Sequence, residues 1–305
     1  MKKIVTLANL HIITLKIMET SEIIKKVRKI EIKTRGLSKN IFAGEYHSAF
    51  KGRGMTFSEV REYQYGDDIR SIDWNVTARF GHPYIKVFEE ERELTVVLLI
   101  DVSGSREFGT VSQFKRDIFT EVAATLAFST IQNNDKIGVI FFSDKIEKFI
   151  PPKKGRKHVL YIIRELIDFQ PQSNKTDVGQ ALRYFTNAIK KSSTAFIISD
   201  FIDSGFEREL TIANRKHDVV ALQVYDIRET ELPDVGLIKL KDAESGKRIW
   251  VDTSDKRLRT SYKHAWGESQ LTLQKIFTKS GIDSVSMSTS EDYVKALMRL
   301  FKMRA

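Results

Sequence analysis

Five consecutive apolar residues, Val96, Val97, Leu98, Leu99 and Ile100, run without a polar interruption into Asp101. A strand with one wet face alternates apolar and polar side chains, whereas an unbroken run belongs to a strand covered on both faces, as in a parallel sheet between two helix layers. The same pattern returns at Ala195, Phe196, Ile197, Ile198 and Ser199, which lead into Asp200. Strands are expected at 95–100, 136–142, 195–199 and 219–225, and helices at 113–132, 158–168 and 178–190. Residues 94–305 are therefore expected to be α/β, a doubly wound and mostly parallel sheet of Rossmann type. Within that span, 236–252 reads as an inserted hairpin turning at Ser245 and Gly246. A helix within 255–279 and a last strand and helix over 282–301 complete it.

Ahead of this region, residues 18–93 read as a small, partly β module that is dense in Arg, Tyr and Asp and rich in turn glycines such as Gly66 and Gly81. It opens with Ile23, Ile24, Val27 and Ile30 at helical spacing opposite Lys25, Lys26, Arg28 and Lys29, a basic amphipathic helix expected to dock on its own domain, with Gly36 ending it. Residues 1–17 imitate the start of a signal peptide but lack a small-residue cleavage site, and Lys16 and His11 break a run already too short to span a bilayer. Met18 reads as the start of the ordered chain, with 1–17 a disordered or mis-started extension. The chain has 305 residues, 41% hydrophobic, with 19 Phe and three Trp, enough for a sizeable core. Zero cysteines exclude disulfides and thiolate metal sites and fit a reducing, cytoplasmic setting. Fifty Lys and Arg against 40 Asp and Glu give a formal charge of +10, which suits an acidic partner.

Ligands of open parallel sheets bind outside the carboxyl ends of the strands, where the strand order reverses. Asp101 and Asp200 leave their strands at that rim, Ser103 and Ser105 follow Asp101, and Thr176 lies in the loop before the helix expected at 178. Singly, each has an ordinary role: Ser105 and Thr176 or Asp177 as helix caps, Asp200 as the start of a turn. Together they form an all-oxygen set without His or Cys, suited to a hard cation such as Mg²⁺, or Mn²⁺. Neutral hydroxyls would leave such an ion short of negative charge and open to a carboxylate from outside.

This combination resembles the von Willebrand factor A domains, whose metal-ion-dependent adhesion site is built from Asp-x-Ser-x-Ser, a distant Thr and a further Asp. Asp101, Ser103 and Ser105 match the first element, Thr176 the second and Asp200 the third. Phe201 stands where many A domains have Gly. The stretch Arg61-Glu62-Tyr63-Gln64-Tyr65-Gly66-Asp67-Asp68-Ile69-Arg70-Ser71-Ile72-Asp73-Trp74, continuing to Thr77-Ala78-Arg79, is similar to the hallmark of domain-of-unknown-function family fifty-eight. That resemblance implies a MoxR-type AAA+ ATPase as partner and a non-enzymatic, metal-dependent adaptor role in remodelling or maturing other proteins. By resemblance to A domains, the helix at 291–301 is a candidate moving element, though Val294, Leu297 and Phe301 equally suit fixed packing.

Within the hallmark, Asp67, Asp68 and Asp73 interleaved with Arg61, Arg70 and Arg79 fit either a partner-docking surface or an internal ion-pair network. Trp74 is expected in the core. Two other functions stay open. Asp101 could be the nucleophile of a Mg²⁺-dependent phosphotransfer enzyme, although Ser103 stands where a second acid would help and no phosphate-binding Gly-rich loop exists. The basic charge could serve nucleic acid, but no recognised nucleic-acid motif accompanies it.

Overall fold

Strand β3 (Thr95–Asp101) lies at the middle of a six-stranded sheet, and its alternate residues explain the unbroken apolar run. Val96, Leu98 and Ile100 face one core, while Val97 and Leu99 face another on the opposite side of the sheet. The computed structural model describes residues 55–90, 93–109, 114–242 and 246–304, with Lys25, Arg28, Ile30 and Glu31. The expectations for 1–17, for a start at Met18 and for Gly36 lie outside the described residues. Of the basic helix, the four described residues are helical; Ile30 packs against the first core and Glu31 accepts from Arg156 Nε at 3.0 Å, so this piece docks on the chain itself.

Strands β1 (Met55–Glu62) and β2 (Tyr84–Glu90) form an antiparallel pair, joined through helix α1 (Trp74–Phe80). After β3 come α2 (Lys115–Gln132), β4 (Lys136–Phe142), β5 (Ile146–Lys153), α3 (Arg156–Asp168) and α4 (Val178–Ala188). The second half holds β6 (Thr194–Ser199), α5 (Glu207–Lys216), β7 (Asp218–Tyr225), the short α6 (Ile227–Thr230), the hairpin β8 (Leu237–Lys241) and β9 (Arg248–Asp252), α7 (Lys256–Ser280), β10 (Asp283–Ser288) and α8 (Tyr293–Arg304). The sheet order is β10-β7-β6-β3-β4-β5, parallel except for the β4–β5 pair. The chain leaves β3 toward β4 on one side and returns to β6 on the other, so the order reverses between the carboxyl ends of β3 and β6.

The α/β, mostly parallel architecture is as expected, and β4 has the bounds read from its apolar run. Helix α5 and strand β5 are among the elements that went unread. Helix α5 is polar enough on its outer face to pass for a loop, but buries Leu210 and Ala213. Strand β5 carries Pro151 and Pro152, which ordinarily argue against a strand; it is tolerated as an edge strand, with a register shift between Ile137 and Val139 opposite the prolines. Helix α2 is buried nearly all round, and its hydroxyls are satisfied inside it: Thr120 and Thr125 donate to carbonyls four residues back, Ser129 and Thr130 to those three back. Helix α8 buries Val294, Leu297, Leu300 and Phe301 in the first core. No helix among the described residues is long and apolar enough to cross a membrane.

Trp74 is a correction: it is 68% exposed. It opens a two-turn helix capped by Asp73, whose Val76 and Thr77 are the half-buried positions, and Thr77 accepts from the Tyr84 N–H on β2. So short a helix covers one face only and leaves the indole outside.

Candidate functional site

Asp101 is the last residue of β3, and its carboxylate is tied on both sides. Oδ1 accepts from the Ser103 N–H at 2.9 Å, and Oδ2 accepts from the Ser199 hydroxyl at 2.7 Å across the gap to β6. The first bond folds the chain back over the strand end, so that Ser103 and the 3₁₀ turn Gly104–Glu107 sit on the rim. Ser103 and Ser105 Oγ are then 3.1 Å apart. Neither hydroxyl serves as a helix cap: Ser103 holds the cap position of that turn without a side-chain cap bond, and Ser105 lies within the turn.

The loop that carries Thr176 is tied down on either side of it. The Gly104 N–H donates to Asn174 O at 3.0 Å, and the Asp177 N–H donates to Ser143 O at 3.1 Å, which pins both ends of 174–177 beside the Asp101 turn. Asp177, not Thr176, caps α4, accepting from the Gln180 N–H at 2.6 Å. Asp200 directly follows β6, and its Oδ1 accepts from the Ile202 N–H at 3.2 Å, the turn role expected of it. Phe201 follows at φ 56°, a left-handed conformation that suits Gly better than a residue with a Cβ.

The rim is less open than its position suggested. Asp101, Ser103 and Asp200 are all buried, and only Ser105 and Thr176 are half-exposed. Asp101 at the end of β3 is thus sealed from solvent, with its carboxylate held by Ser103 and Ser199. Burial, and the charge of Asp200 beside it, push the Asp101 carboxyl up to about 7.

Three residues at this rim were not read from sequence. Lys115, the first residue of α2, is 0% exposed; its Nζ donates to Asp200 Oδ2 at 2.9 Å and pairs with Glu229 of α6. Burial pulls the ammonium down, but the charges of Asp200 and Glu229 outweigh it and leave the group above its ordinary value. Glu229 is itself the third residue of a capping box with Asp226. Burial raises its carboxyl. Ser199 links Asp101 to the backbone of Phe201, whose N–H donates to its Oγ at 3.1 Å. A signal existed for Lys115, since a cation opening an otherwise buried helix opposes the helix dipole and calls for a nearby anion. Asp226-Ile227-Arg228-Glu229 likewise has capping-box spacing.

The hallmark acids are spent locally. Asp67 takes a bidentate bond from Arg61 at 2.7 and 2.8 Å and one from the Gln64 N–H. Asp68 accepts from the Arg70 N–H, and Asp73 caps α1 while pairing with Lys86 at 3.3 Å. Arg70 and Arg79 are exposed, beside exposed Tyr65, Ile69 and Trp74.

No group of three His, Cys, Asp or Glu that could hold a metal occurs among the described residues. The oxygens at this rim are chiefly hydroxyls, with the two carboxylates of Asp101 and Asp200.

A family model described as "Protein of unknown function DUF58" matches residues 59–272. In sequence the chain is 29% identical over 281 residues to the uncharacterized protein Rv1480 of Mycobacterium tuberculosis, covering 91% of this chain and 88% of that one. In structure it is similar to the conserved hypothetical protein BatB from Bacteroides thetaiotaomicron, with a TM-score of 0.47 and 16% identity over 69% of this chain and 98% of that one. It is also similar to proximal thread matrix protein 1 from the mussel byssus, solved with a zinc-occupied MIDAS motif, with a TM-score of 0.35 and 19% identity over 43% of this chain and 38% of that one.

Proposed function

The chain belongs to the DUF58 family, and on that premise we propose that it is a metal-dependent protein-binding adaptor whose rim of Asp101, Ser103, Ser105, Thr176 and Asp200 holds Mg²⁺. The observation that carries this reading is the 3.1 Å separation of Ser103 and Ser105 Oγ. That spacing is one that two neighbouring ligands of a single hard cation can take, and the small number of carboxylates in the set suits Mg²⁺, or Mn²⁺, whose preferred ligands are similar. Ser103, Ser105 and Thr176 would supply neutral oxygens, with Asp101 and Asp200 behind them. A bound Mg²⁺ supplies a Lewis-acid position for one carboxylate from outside.

The partner we favour is a MoxR-type AAA+ ATPase or its client, presenting a Glu or Asp to the rim, which would form a charge-assisted contact. Support for the ATPase comes from the resemblance of the hallmark segment. Its outward side offers exposed Arg70, Arg79, Tyr65 and Trp74 as a second contact, while Arg61, Asp67, Asp68 and Asp73 brace the segment from within. Phosphotransfer on Asp101 is disfavoured, because both carboxylate oxygens are engaged and the residue is 1% exposed.

The test is the affinity of the purified ATPase for the parent and for Ser103→Ala/Ser105→Ala, with Mg²⁺ or with EDTA. Binding that needs both the ion and the two hydroxyls is expected. Equal affinity in all four combinations would overturn the reading.

A further inference from the structure

Lys115 is a large charged side chain sealed wholly inside the protein. Taking an ammonium out of water costs several kcal/mol, and at the first position of a helix it also meets the positive end of the dipole. A methionine or leucine would fill the same space at neither cost. What the lysine alone supplies is charge at one point, and the point is specific: between Asp200 Oδ2 at 2.9 Å and Glu229, with the Phe108 ring 6.0 Å from the ammonium. It thus joins the rim at the end of β6 to helix α6, beyond β7.

Resting on the metal reading above, we propose that Lys115 is the built-in counter-ion of this rim and, with Glu229, sets how tightly the rim holds a divalent cation. With Asp101, Asp200 and Glu229 ionised, three carboxylates stand against the one ammonium, which leaves an excess of two negative charges, the amount one divalent cation offsets. The ammonium also occupies Asp200 Oδ2 and so competes with a metal for that carboxylate. Glu229 draws the ammonium away from Asp200 and adds negative charge to the rim. The two residues therefore pull metal affinity in opposite directions.

This opposition separates the proposal from a merely structural role. Removing Lys115 as Lys115→Met leaves Asp200 and Glu229 uncompensated, so Mg²⁺ should bind at least tenfold more tightly, and the metal-free protein should melt lower while gaining more from the ion. Removing the charge of Glu229 as Glu229→Gln commits the ammonium to Asp200, so Mg²⁺ should bind about tenfold more weakly. The double variant Lys115→Met/Glu229→Gln keeps the parent's charge balance and should return to within about threefold of its affinity. A role in packing alone would weaken binding in both single variants.

The experiment is calorimetric titration of the full chain with Mg²⁺, paired with its melting temperature with and without the ion, for the parent, the three variants and Ser103→Ala/Ser105→Ala. Opposite shifts in the two single variants support the proposal. If Lys115→Met fails to fold, the double variant decides: binding closer to the parent's than that of Glu229→Gln supports the proposal, and binding no tighter than that of Glu229→Gln overturns it. Should the parent bind Mg²⁺ and lose it in the serine variant while both single variants bind as the parent does, Lys115 has no such role and the metal reading stands. Failure of every protein to bind Mg²⁺ sinks the metal reading itself.

Discussion

Phe201 holds a left-handed backbone, φ 56°, with its ring set edge-on against Phe277 at 5.1 Å. The strain of that conformation, roughly 1–2 kcal/mol for a residue with a Cβ, sits next to Asp200 and is held by packing against Phe206 and Phe277 and by the bond from the Phe201 N–H to Ser199. Phe201→Ala loses the ring and keeps the strain, so it should cost about 3 kcal/mol or more in urea unfolding. Phe201→Gly loses the same ring but relieves the strain, and should be about 1 kcal/mol less destabilised than the alanine variant. The usual order of Ala over Gly would show that no strain is stored there.

Thr176 and Ser199 should separate metal binding from stability. Thr176 is half-buried on a loop, and Thr176→Ala is expected to weaken Mg²⁺ at least tenfold in calorimetry while leaving unfolding within about 0.5 kcal/mol of the parent. Ser199 is buried and bonds both Asp101 and the Phe201 N–H, so Ser199→Ala should cost about 1–3 kcal/mol. A stability loss for Thr176→Ala as large as that for Ser199→Ala would place Thr176 in the scaffold.

His217 lies at the opposite end of the sheet, just ahead of β7, buried between Phe185 and Ser193, whose hydroxyl is 3.0 Å from Nδ1. Its Nε2 has no hydrogen-bond partner among the described residues. Burial, with a lesser push from the charge of Lys216, lowers the imidazole to about 4 from an ordinary 6.5. The unfolded chain therefore binds a proton between pH 6.5 and 4 that the folded protein refuses, so stability present above pH 6.5 is lost as pH falls through that window. The loss should be on the order of 2 kcal/mol. Urea midpoints at pH 7 and pH 4 for the parent and His217→Gln check it: the parent should lose more on acidification than the variant.

Gly138 on β4 is a packing requirement. A Cβ there would come within 2.9 Å of the Pro152 ring and of its backbone nitrogen, neither of which can move aside cheaply. Gly138→Ala should destabilise by about 1–3 kcal/mol in urea unfolding. A neutral substitution would show that the β4–β5 pairing is looser than described.

The parts of the fold legible in the sequence were those where burial alone writes the pattern. β3, β4 and β6 are covered on both faces, so their apolar runs end where the strands end, and the carboxyl-end rule then put Asp101 and Asp200 on one rim. Features set by distant partners were not legible. Lys115 meets Asp200 across 85 residues of sequence, and nothing local to residue 115 names its acids. Trp74 misled for the converse reason: its hydrophobicity is local, but what could cover it is not.

Pro151 and Pro152 stand in β5, the outermost strand beside β4, and neither has an amide proton to donate. Amides alternate between the two edges of a strand, so one of the two positions faces the free edge, and a strand from another molecule laid there would find a gap in its ladder, which guards against edge-to-edge growth. On that flank the edge is interrupted where a sheet would be extended, which favours recognition by side chains, as a surface to be read.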